Sequence, residues 1–310
     1  MKFSDVKGQE KAAKKLAAFL AAERIPTALL FSGPEGTGKA LMATALAQSL
    51  ICPDSAAGDA CGLCSACGSI ARRIHPDVPF VNALYQATLE DEEVSKQRTL
   101  KVDTIRRLRR DMEMESLLGS WKVAVIEDAH TLEVEASNAL LKILEEPPRR
   151  TLWILLTSQK ERLPSTVLSR CFTVRFSPLP ASVLTPILTE RGIPRDRAEL
   201  LGHLAEGSAS RALQLAEGLA WDPRGGPPEL APLAAADSLP KELASARKIV
   251  EMTLYGLAQR LRMKAMDGGV EFGEIQKPLR QLIELRKSLG SNADPRLIML
   301  LGLAEANRHL

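Results

Sequence analysis

Aromatic residues are scarce in this chain, making up only 4% of its 310 residues. Its core therefore has to be built from Leu, Ala, Val and Ile. Nor does any stretch interleave aromatics with basic residues, the pattern that stacks bases. The four histidines are scattered, so neither a Ser/His/Asp group nor a histidine metal set presents itself. No apolar run approaches the ~18 residues that a membrane-crossing helix requires. The N-terminal MKFSDVKGQEK lacks an apolar h-region, and no secretory signal is expected. Charge of one sign is not in excess either. With 41 Lys and Arg against 38 Asp and Glu, the formal net charge is +3. That is too little to indicate nucleic-acid binding by itself. These absences leave an ordinary globular chain, long enough for about two to three domains, with the cytoplasm as the expected location.

Strands alternate with helices over the first half. GQEKAAKKLAAFLAAER at 8–24 has helical spacing, with Leu16, Phe19 and Leu20 on one face. ALLFS at 28–32 is a short apolar run ended by Gly33, as in a buried parallel strand. A helix at 40–50 follows. PFV at 79–81, WKVAVIEDAH at 121–130, TLWILLTS at 151–158 and FTVRF at 172–176 supply further strands, while 82–100 reads as polar and irregular. Helices are expected at about 102–115 and at 133–146, the latter stopped by Pro147 and Pro148. This alternation predicts a parallel α/β sheet over 1–178. A small helical domain is expected at 179–218, a Pro- and Gly-rich linker at 219–239, and a second helical domain at 240–310.

Gly33 to Lys39 fits G-x-x-x-x-G-K, with Gly36 and Gly38 inside it, between an expected strand and an expected helix. That is the context in which backbone amides and a lysine cradle phosphates. The next residue is Ala40, where a phosphate loop usually carries a Ser or Thr that ligates Mg²⁺. The strand at 123–126 runs into Glu127 and Asp128. These carboxylates could hold magnesium, or they could form a solvated strand end with a helix-capping role. Both readings stand.

Of five cysteines, Cys52, Cys61, Cys64 and Cys67 are spaced C-x8-C-x2-C-x2-C. Four thiolates so close in sequence can close a tetrahedron around Zn²⁺, leaving no open position for water. A structural zinc is expected. Arg106, Arg107, Arg109 and Arg110 cluster on one helix. Asp111, Glu113 and Glu115 balance them, and a solvated face is preferred to a DNA-facing one.

The order of motifs is GQEKA, a phosphate loop, a four-cysteine insert, IEDAH, SNALLKILEEPP at 137–148, then LPSTVLSRC ending at Cys171. In this the chain resembles the AAA+ subunits of the bacterial DNA polymerase III clamp loader, and among them the delta-prime subunits. The likeness is good over 1–178, partial to about 218, and topological beyond 240. It implies an AAA+ sheet domain with a zinc insert, a helical lid and a C-terminal helical collar. It also implies a stator that helps load the sliding clamp on primed DNA as part of the DNA polymerase III holoenzyme.

Implied partners are the ATPase and delta subunits of the loader. The clamp would be met indirectly and primer-template DNA through the complex, with no membrane involved. In motor subunits an Asp precedes a Glu at the acidic strand end, whereas here Glu127 precedes Asp128. A GSxR arginine of motor subunits is replaced by Ser210 in Gly207-Ser208-Ala209-Ser210-Arg211. With Ala40, that makes three altered parts of a nucleotide engine. ATP or ADP binding by the degenerate site (Gly33, Gly36, Gly38, Lys39, Glu127, Asp128) is therefore doubtful, and no intrinsic ATPase activity is expected. Arg170, by contrast, matches the arginine finger that acts in trans on a neighbour's ATP, the alternative being a surface salt bridge. Thr157 matches a sensor position, or is an ordinary β-branched strand end, and Cys171 is expected to be a small buried filler. The alternatives are an ATP-hydrolysing motor subunit or a free-standing P-loop ATPase.

Overall fold

The short apolar runs do form strands. In the computed structural model, β1 (Ala28–Ser32), β2 (Phe80–Val81), β3 (Lys122–Ile126), β4 (Thr151–Thr157) and β5 (Phe172–Arg175) make one parallel sheet. Its order is β2-β3-β4-β1-β5. All residues are described except 57, 117–120, 219–230, 238, 240–242, 267–271, 290–292 and 309–310.

The helices of the first unit are α1 (Glu10–Ala21), α2 (Lys39–Ile51), α3 (Ser65–Ala71), α4 (Ala83–Glu90), α5 (Val102–Glu113), α6 (Val134–Glu145) and α7 (Ser165–Leu168). β1 to β4 are buried on both faces because their side chains alternate into two cores, whereas β5, at the sheet edge, fully buries only Val174. Leu29, Phe31, Val123, Val125, Leu152 and Ile154 pack with α1 and α2 through Leu16, Met42 and Leu46. Ala28, Leu30, Ala124, Ile126, Trp153 and Leu155 pack with α5 and α6 through Ile105, Leu108, Leu140 and Ile143. Parallel strands bring their C-terminal ends to one edge of the sheet, and that edge carries Gly33, Glu127 and Thr157.

Residues 82–100 are more ordered than their polarity suggests. Asn82 accepts the Tyr85 amide at 3.0 Å and so caps α4. The buried side chains of α4 are Gln86 and Ala87, so no apolar stripe marks the helix. Gln86 is fully satisfied: it donates to Gln97 and Thr99 and accepts from the Lys101 amide and the Thr104 hydroxyl.

The chain divides into two compact units, Met1–Leu179 and Pro180–Leu310. The second is helical: α8 (Ala181–Thr189), α9 (Arg195–Leu204), α10 (Ala209–Gly218), α11 (Ala231–Asp237), α12 (Leu243–Met266), α13 (Phe272–Ser288) and α14 (Pro295–Asn307). Residues 219–230 of the expected linker lie outside the described residues, and α11 occupies 231–237 of it. Helices α11 to α14 share one core, including Leu254, Leu282 and Leu303. No helix among the described residues is long and apolar enough to cross a membrane.

Candidate functional site

The loop from Gly33 to Gly38 joins β1 to α2, and its conformation depends on glycine. Gly36 and Gly38 have φ of 68° and 93°, the left-handed region that residues with a Cβ avoid. Gly33 is required for a different reason. A Cβ there would lie 2.3 Å from the carbonyl oxygen of Phe176, just past β5.

Lys39 and Thr37 are turned onto the loop's own backbone, while Glu35 is exposed. Lys39 Nζ donates to the carbonyls of Gly33 at 2.7 Å and Pro34 at 2.6 Å. Thr37, 1% exposed, donates to the same Pro34 oxygen at 2.8 Å. Burial lowers the Lys39 pKa, against the opposing pull of the Glu35 and Asp128 carboxylates. At position 40 there is only a methyl group, and no hydroxyl that could ligate a cation.

The two acids at the end of β3 part company. Glu127 Oε2 accepts Arg73 Nη1 at 2.9 Å and Asn82 Nδ2 at 2.7 Å. Both partners lie toward β2: Asn82 follows that strand, and the Arg73 guanidinium lies 4.8 Å from the ring centroid of its Phe80. β1 and the phosphate loop are on the other side, beyond β4. Asp128 instead lies in the field of Lys39 and Glu35. Its pKa is raised, by desolvation first, with His130 and Lys39 opposing and Glu35 and Glu127 adding. Its φ of 48° is one that Asp tolerates. Thr157, 1% exposed, accepts the Gln159 amide at 3.0 Å and lies 3.4 Å from His130 Nδ1. Sequence reasoning missed Arg73, Asn82 and His130. Only Asn82, as a helix-capping residue before a possible helix, left a trace.

The four cysteines converge. Their sulfurs all lie within 4.8 Å of one another, with Cys52 to Cys64 at 3.9 Å and Cys61 to Cys67 at 4.0 Å. A tetrahedron with Zn–S of ~2.3 Å requires S···S of roughly 3.8 Å, so the set fits such an ion. Backbone amides point at the sulfurs: Cys61 N at Cys52, Leu63 N and Cys64 N at Cys61, and Cys67 N at Cys64, all at 3.3–3.4 Å. The amides of Leu63 and then Cys64 lower the Cys61 pKa to about 6. Burial raises Cys67 to about 12 and also raises Cys52. A cation among the four is what would let the buried pair ionise. Cys171 is buried in the core beside α6 and α7, its thiol raised to about 11 by burial alone.

Arg170 follows α7, far from these groups in sequence. Nη2 donates to Glu145 Oε1 at 2.6 Å and Nη1 to the Thr166 carbonyl at 3.0 Å. Its side chain remains 36% exposed. In the second unit, Ser210 pairs with Ser208 at 3.2 Å. Arg211 donates to Glu206 at 2.9 Å and to the Tyr255 hydroxyl at 3.1 Å, its guanidinium 4.9 Å from that ring. On α5, Arg106, Arg107 and Arg109 pair with Asp103, Asp111 and Glu113 on the same helix.

The family model described as "DNA polymerase III, delta subunit" matches residues 8–180. The DNA polymerase III subunit tau of Escherichia coli is 35% identical over 221 residues, 69% of this chain and 32% of that protein. The DNA polymerase III subunit delta' of Pseudomonas aeruginosa is 39% identical over 177 residues, 57% of this chain and 51% of that protein. The chain thus spans about a third to a half of the length of these relatives. A DNA polymerase III gamma subunit-related protein from Thermotoga maritima has the same fold, with a TM-score of 0.56 over 96% of this chain and 98% of its own, at 15% identity. With a matched span that begins before the phosphate loop and ends just past β5, the chain belongs to the DNA polymerase III delta-subunit family, within the AAA+ clamp-loader group.

Proposed function

We propose that the chain is the delta-prime stator of a DNA polymerase III clamp loader. It holds the geometry of the subunit ring, does not hydrolyse ATP itself, and offers Arg170 to the ATP of an adjacent motor subunit. One asymmetry carries this reading. The groups that would serve the chain's own nucleotide are withdrawn: Lys39 onto loop carbonyls, Glu127 onto Arg73 and Asn82, and position 40 without a hydroxyl. Arg170, which would serve a neighbour, is bonded to Glu145 and to the Thr166 carbonyl yet keeps a third of its side chain in solvent. An arginine so presented stabilises charge on a transferring phosphoryl group.

In this reading the four cysteines hold a structural Zn²⁺, supported by their spacing and their amide-to-sulfur bonds. Residues 179–218 act as the lid and 240–310 as the collar. The partners are the loader's ATPase and delta subunits, with the clamp and primed DNA reached through the assembly in the cytoplasm. A rival reading, a hydrolysing motor subunit, draws on the 35% identity to a tau subunit and on the intact glycines and lysine of the loop. Calorimetry of the chain with ATP, with and without Mg²⁺, separates the two. The stator reading expects no binding, or weak binding indifferent to Mg²⁺. Tight Mg²⁺-dependent binding would return the motor reading to the front.

A further inference from the structure

The cysteine module reaches the edge of the sheet that carries the Gly33–Lys39 loop by two routes. One is along α2, whose N-cap is Gly38 of the phosphate loop and whose C-cap is Cys52. On this helix Gln48, 1% exposed, donates Nε2 to the Cys67 carbonyl at 2.7 Å. The second route is through α3, which starts at the Cys64 cap and contains Cys67. Two residues past α3 the chain turns back with Arg73 at φ 60°. The Arg73 guanidinium then covers Phe80 of β2 and its Nη1 bonds Glu127 at the end of β3.

β2 is only two residues long and lies at the sheet edge. Its segment holds β3 through the Val123 amide on the Asp77 carbonyl at 2.9 Å, the Val125 amide on the Pro79 carbonyl at 2.9 Å and the Glu127 amide on the Val81 carbonyl at 2.8 Å. Backbone pairing this short is weak by itself. Arg73 spans the junction, with an aromatic face of β2 on one side and a carboxylate of β3 on the other. Asn82 adds a second donor to the same carboxylate oxygen.

We infer that the cysteine module positions Glu127 through Arg73: metal held by the four thiolates fixes α3, α3 presents Arg73, and Arg73 pins the β2 edge while keeping Glu127 turned from the phosphate loop. The inference rests on reading the four cysteines as a metal site. Arg73 is a positioning residue, since it acts through Glu127 and Phe80.

The test is hydrogen exchange of the full zinc-loaded chain. In Arg73→Ala, the Val125 and Glu127 amides are expected to exchange about tenfold faster, the scale set by losing one partly exposed ion pair and one cation–π contact. Amides of β4 should not change, and Arg73→Lys, which keeps the charge, should restore most of the protection. Unchanged exchange at Val125 and Glu127 in Arg73→Ala would overturn the role of Arg73.

The link to the metal is read in the other direction, so that nothing has to survive metal removal. By reciprocity, Arg73→Ala and Glu127→Gln must both weaken Zn²⁺ binding in competition with a chromophoric chelator. Equal Zn²⁺ affinity in all three proteins would overturn the link. A chain that binds no Zn²⁺ at all would remove the metal reading, and with it the link, leaving the exchange result to decide the role of Arg73.

Discussion

Arg170 Nη2 donates to Glu145 Oε1 at 2.6 Å, tying the turn after α7 to the last residue of α6. The two side chains are 36% and 50% exposed, so the pair contributes no more than about 1 kcal/mol to folding. Arg170→Ala should therefore melt like the parent chain. In a reconstituted loader it should slow single-site turnover at the neighbouring subunit by about 10³-fold or more. Unchanged clamp-stimulated hydrolysis would end the trans-arginine reading. A large fall in melting temperature would instead mean that the turn itself depends on the pair.

Ala40→Thr returns one hydroxyl to the phosphate loop. It should raise Mg²⁺-dependent ATP affinity by about tenfold, or 1.4 kcal/mol, read by calorimetry. The gain should grow when Arg73→Ala also removes one of the two bonds that hold Glu127 away from the loop. If Ala40→Thr binds nucleotide no better than the parent, the missing hydroxyl is not what limits the site.

Cys67 is buried and bonded through its carbonyl to Gln48 of α2. Cys67→Ser should lose bound zinc and destabilise the chain by at least about 2–3 kcal/mol. Elemental analysis and urea titration check both halves. A variant that keeps full stability without metal would show that the module folds unaided.

Gly33→Ala should cost about 1–3 kcal/mol, because the new methyl meets backbone at 2.3 Å rather than the end of a flexible side chain. The cost should be the same with and without nucleotide. A fully stable Gly33→Ala would mean that β1 and the Phe176 segment can separate freely.

Asp128 carries a pKa raised from 3.8, chiefly by desolvation. The folded state thus binds more protons than the unfolded chain between 3.8 and the raised value, and stability falls as pH rises through that window. Asp128→Asn removes this penalty and suits the same left-handed backbone. The variant should be slightly more stable than the parent at neutral pH, only slightly because Asp128 is an exposed residue. The difference should disappear below pH 3.8. A difference that persists at low pH would point to a cause other than charge.

What could be read from the sequence follows from how far each feature reaches along the chain. β1, β3 and β4 are contiguous apolar runs, and their burial on both faces leaves its mark residue by residue. The four cysteines lie within a single short segment. α4 was not legible because its buried face is Gln86 and Ala87 and its start is set by the Asn82 side chain. The Arg73–Glu127 bond joins residues 54 apart, and nothing local to either announces the other. Likewise, His130 gains a neighbour in Thr157 only when β3 and β4 pair. The order Glu127-Asp128 was visible as a departure. That the first would turn toward β2 while the second stays in the field of Lys39 was not.

Gly33 has a further consequence for how such chains are recognised. Its lack of a side chain is enforced by the Phe176 backbone, whatever the loop holds or releases. The opening letter of the G-x-x-x-x-G-K signature is therefore, here, a record of sheet construction. A lineage that had given up nucleotide chemistry would still be obliged to write it. A pattern search that scores this letter as proof of phosphate handling counts architecture as activity, and diagnostic weight belongs to positions that no such backbone contact dictates.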